Sequence, residues 1–171
     1  EEMLKRADLV KQLGGKFIMI DMLTSGFAAL QTLRKNTTLA IHAHRAMHGA
    51  FTEDPNHGIN MMVIADMARL IGVDSLHIGT AFGKMKGNYE DIHEIEEEIE
   101  LKNVKKTKDR LEQNWGKIKP IMAVSSGGLT PLHVPYLVKH FGKDILMQFG
   151  GGLHGHKGGT EAGARAVRQA L

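Results

Sequence analysis

Three histidines and an arginine lie within seven positions of the chain, in the segment AIHAHRAMH (residues 40–48). In a strand, His42 and His44 point to the same side and Ala43 points to the other. Such a pair at a strand end can hold zinc, or it can be a purely structural pair of histidines. The adjoining Arg45 favours a third interpretation, a substrate clamp, because a guanidinium repels a cation but binds a phosphate through two hydrogen bonds.

Two glycine clusters mark a second kind of candidate site. They are Gly127-Gly128 in the segment SSGGL and the triplet 150–152 in the segment QFGGG. Glycines let backbone N–H groups approach an anion closely, and a following helix adds the positive end of its dipole. Either cluster alone can equally be a tight turn. Both follow the last two predicted strands, where phosphate binds in (β/α) barrels, so together with Arg45 and His77 they predict a bisphosphate ligand.

A lysine between glycines is the third candidate. Lys84 stands between Gly83 and Gly87 in the polar segment TAFGKMKGN (residues 80–88). Flanking glycines allow hinge motion, so closure of this segment as a lid would bring an ammonium group over the site and exclude water. The alternative is an ordinary surface lysine in a loop.

Alternating strands and helices position these residues. An amphipathic helix ends at Gly14-Gly15, and five strand–helix repeats follow, which predict a parallel sheet with helices outside it. We expect the first strand to be buried on both faces. The methionines at 61–67 are expected in the core. They belong to a predicted helix whose apolar residues recur largely every three or four positions: Ile59, Met62, Val63, Met67, Leu70 and Ile71. The predicted strands are KFIMIDML, TLAIHAHR, SLHIGT, IKPIMAVSS and ILMQFGG.

Polar residues and glycines follow every predicted strand and are rare within the strands. Function gathers at the carboxyl ends of parallel strands in barrels and in open sheets. We therefore expect one shared site at these ends. Its candidate residues are Asp21 and Thr24; His42, His44, Arg45 and His48; His77, Gly79, Thr80 and Lys84; Ser125, Ser126, Gly127 and Gly128; and Gly150, Gly151 and Gly152.

The composition is that of a globular domain with segregated charge. The 171 residues suffice for one core but are short for a closed eight-stranded barrel of about 250 residues. A net charge of +3 is too small to indicate nucleic acid. Seven acids at 90–100 and seven bases at 102–119 predict solvated faces of a helix or helix pair. The chain has no cysteine, which excludes disulfides and fits a cytoplasmic protein, and no apolar run long enough to span a membrane.

Five linked motifs give the chain a family resemblance. They are IHAHRAMH (41–48), NHGI (56–59), LHIGTAFGKMKG (76–87), VSSGGL (124–129) and QFGGG with the following GH (148–156). In this order and spacing they resemble the large chain of ribulose-1,5-bisphosphate carboxylase/oxygenase (RuBisCO), in its C-terminal barrel domain, over essentially residues 1–171. GNYE and ARLIGVD resemble the archaeal, form III branch. The resemblance implies an α/β fold, the later part of a (β/α)8 barrel.

The resemblance also implies roles for individual residues. His44 and Lys84 would be the catalytic residues: His44 would contact the sugar hydroxyls, and Lys84 would cover the site and stabilise the new carboxylate. Arg45 and His77 would bind one phosphate, and Ser126 a sugar hydroxyl. The other phosphate would be held by the backbone N–H groups of Gly127, Gly128, Gly150 and Gly151. His42 and His48 would contact the residues that bind the substrate and not the substrate itself.

The activity implied is carboxylation of ribulose 1,5-bisphosphate with CO2 to two 3-phosphoglycerate, with competing oxygenation, in a homodimer or an oligomer of dimers. The family binds Mg2+ through a carbamylated lysine and two acids in a KDDE-like motif, which this sequence lacks. We therefore expect the metal ligands, the first three barrel strands and an N-terminal domain upstream, and the 171 residues alone to be inactive. The departures are Ile78, in place of a small polar residue of plant enzymes, and Lys86, where many members have an acid.

Two alternative functions stay open from the sequence. One is a RuBisCO-like enolase or isomerase of sulfur salvage, although the joint presence of Lys84, His77, Arg45 and Ser126 argues against it. The other is a non-catalytic, phosphate-binding half-barrel scaffold.

Overall fold

Parallel strands alternate with helices along the chain, as the sequence predicts. The structure is a computed structural model that describes residues 1–54, 56–81 and 89–171. The chain divides into two units, of which the first comprises Glu1–His77 and Glu97–Ile121. The second comprises Ile78–Glu96 and Met122–Leu171. No helix within the described ranges is long and apolar enough to cross a membrane.

The first unit begins with the predicted amphipathic helix and continues with three parallel strands. The leading helix ends just before Gly14, whose φ of 81° only glycine adopts readily. The elements are α1 (Glu2–Gln12), β1 (Phe17–Asp21), α2 (Met22–Ser25), α3 (Phe27–Asn36), β2 (Ala40–His44), α4 (Gly49–Thr52), α5 (Met61–Ile71) and β3 (Ser75–Gly79), whose last two residues belong to the second unit.

Strand register in the first unit aligns the carboxyl ends of β1 and β2. The two strands pair in parallel from Phe17 opposite Ala40 to Asp21 opposite His44. Strand β3 pairs with the other side of β2, with Ser75 opposite His42. Side chains opposite each other in a parallel pair point to the same face, so the register sets Asp21 beside His44.

The prediction that the first strand is buried on both faces is wrong. Phe17 is 74% exposed and Met19 is 57% exposed, whereas all five residues of β3 are buried. Within the described part of the chain, β1 is an edge strand that pairs only with β2. An apolar run therefore predicts the strand but not how much of it is covered.

Helix α5 forms where predicted but buries a different face. Asn60 caps its start by accepting a hydrogen bond from the backbone N–H of Met62, and Gly72 ends it with a φ of 89°. Met61 and Met62 lie in the core as expected. Four of the residues expected on its apolar face are instead exposed: Ile59, Val63, Met67 and Leu70. The buried side uses small residues, Ala65 and Ala68, which allow close helix packing.

The acidic segment is helical, but the basic segment is not. Helix α6 runs over Tyr89–Glu100, and the predicted second helix is replaced by loops and a short antiparallel pair, β4 (Asn103–Val104) and β5 (Gln113–Asn114). This segment buries Val104 and Trp115 against the core. The burial of these two side chains outweighs the helix propensity of the lysines, which tertiary contacts readily override.

Nor are the acids of α6 all solvated. Glu96 and Glu98 are buried. Glu98 accepts a hydrogen bond from Trp115 Nε1 at 3.1 Å. Arg69 of α5 is 1% exposed, lies 4.4 Å over the Trp115 ring and donates to the carbonyls of Glu98 and Leu101. We call Asp66, Arg69, Glu98 and Trp115 the Arg69 network.

The second unit contains the last two strand–helix repeats. Strand β6 pairs in parallel with β7, from Val124 opposite Leu146 to Ser126 opposite Gln148. Helices α8 and α9 are in close contact at Gly163. A Cβ added there would lie only 2.1 Å from the carbonyl oxygen of Leu153. The elements are β6 (Met122–Ser126), a 3-10 helix (Pro131–His133), α7 (Val134–Phe141), β7 (Leu146–Gln148), α8 (Gly151–His154) and α9 (Gly159–Gln169).

Candidate active site

The first unit brings together polar side chains from the ends of three adjacent strands. We call this group the histidine cluster; it consists of Asp21 from β1, His42 and His44 from β2, the following Arg45, and His77 from β3. Ala43 and Ile41, which alternate with the histidines, are fully buried on the opposite face. The prediction that His42 and His44 share one face is confirmed, because both rings contact His77.

The rings of the cluster are held edge to face. The ring centroids of His42 and His77 are 4.7 Å apart and those of His44 and His77 are 4.6 Å apart, each with an interplanar angle of 82°. His42 Nδ1 lies 2.8 Å from Ser75 Oγ, and its Nε2 lies 2.6 Å from His77 Nε2. One of those two Nε2 atoms must donate and the other accept. Both ring nitrogens of His42 are therefore engaged within the cluster.

Burial keeps the cluster low in charge. It lowers the pKa of His77 to about 3, and the positive charges that His42, His44 and Arg45 can carry act in the same direction. The pKa of His42 is also lowered, first by burial and then by His44. His77 is thus a neutral imidazole at pH 7 and adds no charge to the cluster.

Arg45 is the cation of the cluster. It is 8% exposed, and burial lowers the pKa of its guanidinium to about 10, which still leaves it charged at pH 7. A buried cation that is short of solvent strongly favours an incoming anion. His48, half-buried beyond it, lies with Nδ1 2.9 Å from Thr52 Oγ1. Burial and the charge of Arg45 lower the pKa of His48.

Asp21 completes the cluster on its exposed side. Its Oδ1 lies 2.5 Å from His44 Nδ1, and both side chains are half-exposed. The sequence placed Asp21 at a strand end but gave it no role. The register of β1 and β2 would identify this role. When the two strands pair in parallel, Asp21 at the end of β1 lies opposite His44 at the end of β2.

The described residues offer no group of three His, Cys, Asp or Glu side chains placed to hold a metal ion. The two facing nitrogens of His42 and His77, at 2.6 Å, are also too close to be ligands of one zinc ion. With Zn–N distances of about 2.1 Å and tetrahedral angles, two such nitrogens would lie about 3.4 Å apart.

The second unit brings its two glycine clusters side by side. Gly127 and Gly128 follow β6 with φ values of 116° and 70°, which strain any other residue. A Cβ at Gly152 would lie 1.9 Å from the carbonyl oxygen of Leu129, so helix α8 lies directly against the loop after β6. By contrast, none of the other described residues lies within 4 Å of a Cβ built at Gly150 or Gly151, so the space in front of these two glycines is open with respect to the described part of the chain.

The other predicted residues have different outcomes. Ser126 ends β6 and is partly exposed, whereas Ser125 is buried and its hydroxyl has no hydrogen-bond partner among the described residues. Lys84 lies outside the described residues, as does Lys86. The histidine cluster and the glycine clusters belong to different units, so their convergence on one ligand stays a prediction.

Comparisons with known proteins identify the family of the chain. Residues 1–171 match the family described as "Ribulose bisphosphate carboxylase large chain, catalytic domain". Ribulose bisphosphate carboxylase of Methanosarcina barkeri is 49% identical over all of this chain and 41% of its own length.

Two solved structures are similar as well. The octameric RuBisCO of Pyrococcus horikoshii has a TM-score of 0.87 and 48% identity, and the match covers 99% of this chain and 38% of that one. The dimeric archaeal RuBisCO of Hyperthermus butylicus has a TM-score of 0.89 and 46% identity, covering 99% and 40%.

These matches confirm the predicted fold class, the later part of a (β/α)8 barrel, and the resemblance to archaeal members. The chain spans about two fifths of the length of the relatives it matches. It belongs to the ribulose bisphosphate carboxylase large chain family.

Proposed function

We propose that this chain is part of a ribulose-1,5-bisphosphate carboxylase large chain. The complete protein adds CO2 to ribulose 1,5-bisphosphate to give two 3-phosphoglycerate, with oxygenation as the competing monooxygenase reaction. The match of all 171 residues to the catalytic domain of the family carries this proposal. The buried, charged Arg45 beside a neutral His77 supports it, because this pair suits a phosphate better than a metal ion.

The proposed roles follow from what each group can do. Arg45 and His77 bind one phosphate, and His44 contacts the sugar hydroxyls. Lys84 and Ser126 keep the roles that the resemblance implies: stabilising the carboxylate that forms and hydrogen-bonding the sugar chain. The second phosphate is bound by backbone N–H groups at Gly127, Gly128, Gly150 and Gly151, and the open space before the last two leaves room for it.

Mg2+ is part of this proposal for the complete protein. Bound in the complete protein, it would supply a positive charge to the substrate. The described residues do not fit it, since they lack a suitable group of ligands, and the sequence lacks the KDDE-like motif. The ligands are expected elsewhere in the complete protein. Assembly into dimers or larger oligomers, as in the dimeric and octameric relatives, and a cytoplasmic location belong to the same proposal.

The direct test is an assay of the complete protein that contains this segment. We expect it to incorporate labelled CO2 into 3-phosphoglycerate when given ribulose bisphosphate. Enolisation of a thio-sugar phosphate without CO2 fixation would instead identify a sulfur-salvage enzyme. If the folded protein shows neither activity, the non-catalytic scaffold is the remaining function. The 171-residue chain assayed alone is expected to show no turnover.

Replacing Arg45 with Met tests the phosphate clamp. We expect kcat/KM for ribulose bisphosphate in the complete protein to fall about 100-fold, mostly through KM, since the lost bond is charge-assisted. Arg6→Met is the control, because Arg6 is exposed and pairs with Glu2 of its own helix. Equal kinetics of the two variants would remove Arg45 from the site.

Adding a single methyl group at the glycine cluster tests whether its backbone N–H groups bind phosphate. Gly151 begins helix α8, and a Cβ built there lies more than 4 Å from the other described residues, so Gly151→Ala should fold as the parent does. A phosphate on the backbone N–H groups would meet the new methyl, and we expect the Kd of ribulose bisphosphate to rise about 10-fold, a cost of about 1.4 kcal/mol. Calorimetric titration measures this change. An unchanged Kd with unchanged stability would place the phosphate elsewhere.

A further inference from the structure

The described residues give the two strand-end histidines different chemical environments. Both nitrogens of His42 are engaged, by Ser75 and by His77. His44 has only Nδ1 engaged, by Asp21, and its Nε2 has no hydrogen-bond partner among the described residues. The His44 ring is also half-exposed. Of this pair, His44 is therefore the one with a ring nitrogen available to a ligand.

We propose that Asp21 is a positioning residue that holds His44 in one tautomer, with the proton on Nδ1 and a lone pair on Nε2. This inference rests on the proposed function, in which His44 meets the hydroxyls of the sugar bisphosphate. An ionised carboxylate only accepts hydrogen bonds, so the nitrogen that faces it carries the proton. At 2.5 Å the contact is a short, charge-assisted hydrogen bond.

The fold fixes this pair on three sides. The register of β1 and β2 sets Asp21 opposite His44, and both belong to regular strands rather than to a loop. The edge-to-face contact with His77 holds the plane of the His44 ring from another side. Thr24 closes the end of β1 by donating from Oγ1 to the backbone carbonyl of Asp21 at 3.2 Å. The direction of Nε2 is therefore set before a ligand arrives.

The fixed tautomer has a defined chemical consequence. Nε2 accepts the proton of a sugar hydroxyl: the O–H bond breaks, its electron pair stays on oxygen, and an N–H bond forms at Nε2. His44 is then an imidazolium, and the carboxylate of Asp21 stabilises that charge directly. The proton returns by the reverse transfer, so no oxidant or reductant is needed. In the other tautomer, Nε2 carries a proton and cannot accept one.

The test is Asp21→Asn in the complete protein. The amide has nearly the shape of the carboxylate, but its NH2 group can donate to Nδ1 and favour the wrong tautomer. We expect kcat to fall about 100-fold or more, with KM for the bisphosphate changed less than about 3-fold. Asp21→Glu keeps the charge and should recover part of kcat. In a His44→Gln background, Asp21→Asn should have almost no further effect.

A matched control is present in the same unit. Asp54 pairs with His57 Nδ1 at 3.3 Å on the surface, and Asp54→Asn should leave kcat unchanged. The second readout is the 15N spectrum of labelled histidine, with His44 assigned from the His44→Gln variant. The parent protein should show His44 protonated at Nδ1, and Asp21→Asn should move the proton to Nε2.

The outcomes separate this inference from the proposed function. A parent protein that does not fix CO2 overturns the function, while the 15N spectrum still decides whether Asp21 sets the tautomer. A fall in kcat without a change of tautomer, or a change of tautomer without a fall in kcat, overturns the positioning role. Additive effects in the double variant overturn it as well. Circular dichroism checks that each variant is folded.

Discussion

The histidine cluster and the Arg69 network both bury polar side chains in the first unit, but they treat charge differently. In the cluster, burial lowers the pKa of His42 and His77, so the rings are neutral around a single cation. In the network, the Arg69 guanidinium lies close to Asp66 and Glu98, and burial raises the pKa of both carboxyl groups. Perturbed pKa values therefore occur in both regions and do not by themselves mark a site.

What separates the two regions is where their hydrogen bonds go. Arg69 donates to two backbone carbonyls at the end of α6 and covers the Trp115 ring, so its bonds join elements of the fold. His44 leaves one nitrogen open at a half-exposed position. The network also holds three buried polar atoms without a hydrogen-bond partner among the described residues: Asp66 Oδ1, Arg69 Nε and Glu98 Oε2. A ligand cannot reach these buried atoms, whereas a group that the fold orients and leaves exposed can act on a ligand.

The largest effect is expected from Arg69→Met, which removes the cation of the network. The change leaves the carbonyls of Glu98 and Leu101 without their donor and removes a positive charge close to Asp66 and Glu98, so we expect the free energy of unfolding to fall by about 3–5 kcal/mol. Urea unfolding of the 171-residue chain measures this loss, with the exposed Arg6→Met as control. A loss below about 1 kcal/mol would show that the network is not the structural member of the pair.

The next largest effect is expected from His77→Gln, and it depends on pH. The pKa of His77 in the folded chain is about 3, below the usual histidine value of 6.5, so the unfolded chain binds the extra proton as the pH falls below about 6.5. The neutral His77 ring makes its full contribution to the free energy of unfolding above about pH 6.5. This contribution is lost as the pH falls towards 3. The parent chain should lose about 2 kcal/mol between pH 7 and pH 5 from this group, and the variant should not.

The exposed His57 supplies the control for this pH dependence. Its side chain is 84% exposed, and His57→Gln should keep the slope of the parent chain. Urea unfolding at pH 5, 6 and 7 gives the slopes. Identical slopes for the parent chain and His77→Gln would contradict a neutral, buried ring and weaken the contrast with the network.

The sequence predicted the cluster well because strand periodicity is local. Alternation in residues 40–44 placed His42 and His44 on one face, and the strand-end rule pointed to Arg45 and His77. Asp21 was found at a strand end, but its partner is 23 residues away and depends on the register of two strands. No pattern within one segment specifies that register.

The sequence predicted the network poorly because its contacts are long-range. The acids of α6 read as a solvated face, yet Glu98 is buried against Trp115, 17 positions along the chain. The basic segment read as a helix, yet the burial of Val104 and Trp115 holds it in an irregular path. For α5, two overlapping sets of apolar residues both fit a helical period, and packing selected the set with Ala65 and Ala68.

The smallest effect is expected from Asp66→Asn, which probes the network without removing its cation. Burial, and then the neighbouring Glu98, raise the pKa of Asp66 to about 6, against the partial opposition of Arg69. The folded chain therefore holds its proton more tightly than the unfolded chain, whose pKa is 3.8. Stability from this group is complete below about pH 4 and decreases until about pH 6, opposite in sign to His77.

Asn carries no charge at any pH. The difference in the free energy of unfolding between variant and parent therefore reports the ionisation of Asp66 alone. Asp66→Asn should be more stable than the parent by about 1 kcal/mol at pH 8 and equal to it at pH 4. The gain is smaller than the full pKa shift implies, because the partly exposed Asp66 carboxylate is screened by solvent. Urea unfolding at the two pH values measures it. A variant less stable than the parent at pH 8 would mean that the Asp66–Arg69 attraction outweighs desolvation, and that the network depends on ionised acids as well as on its cation.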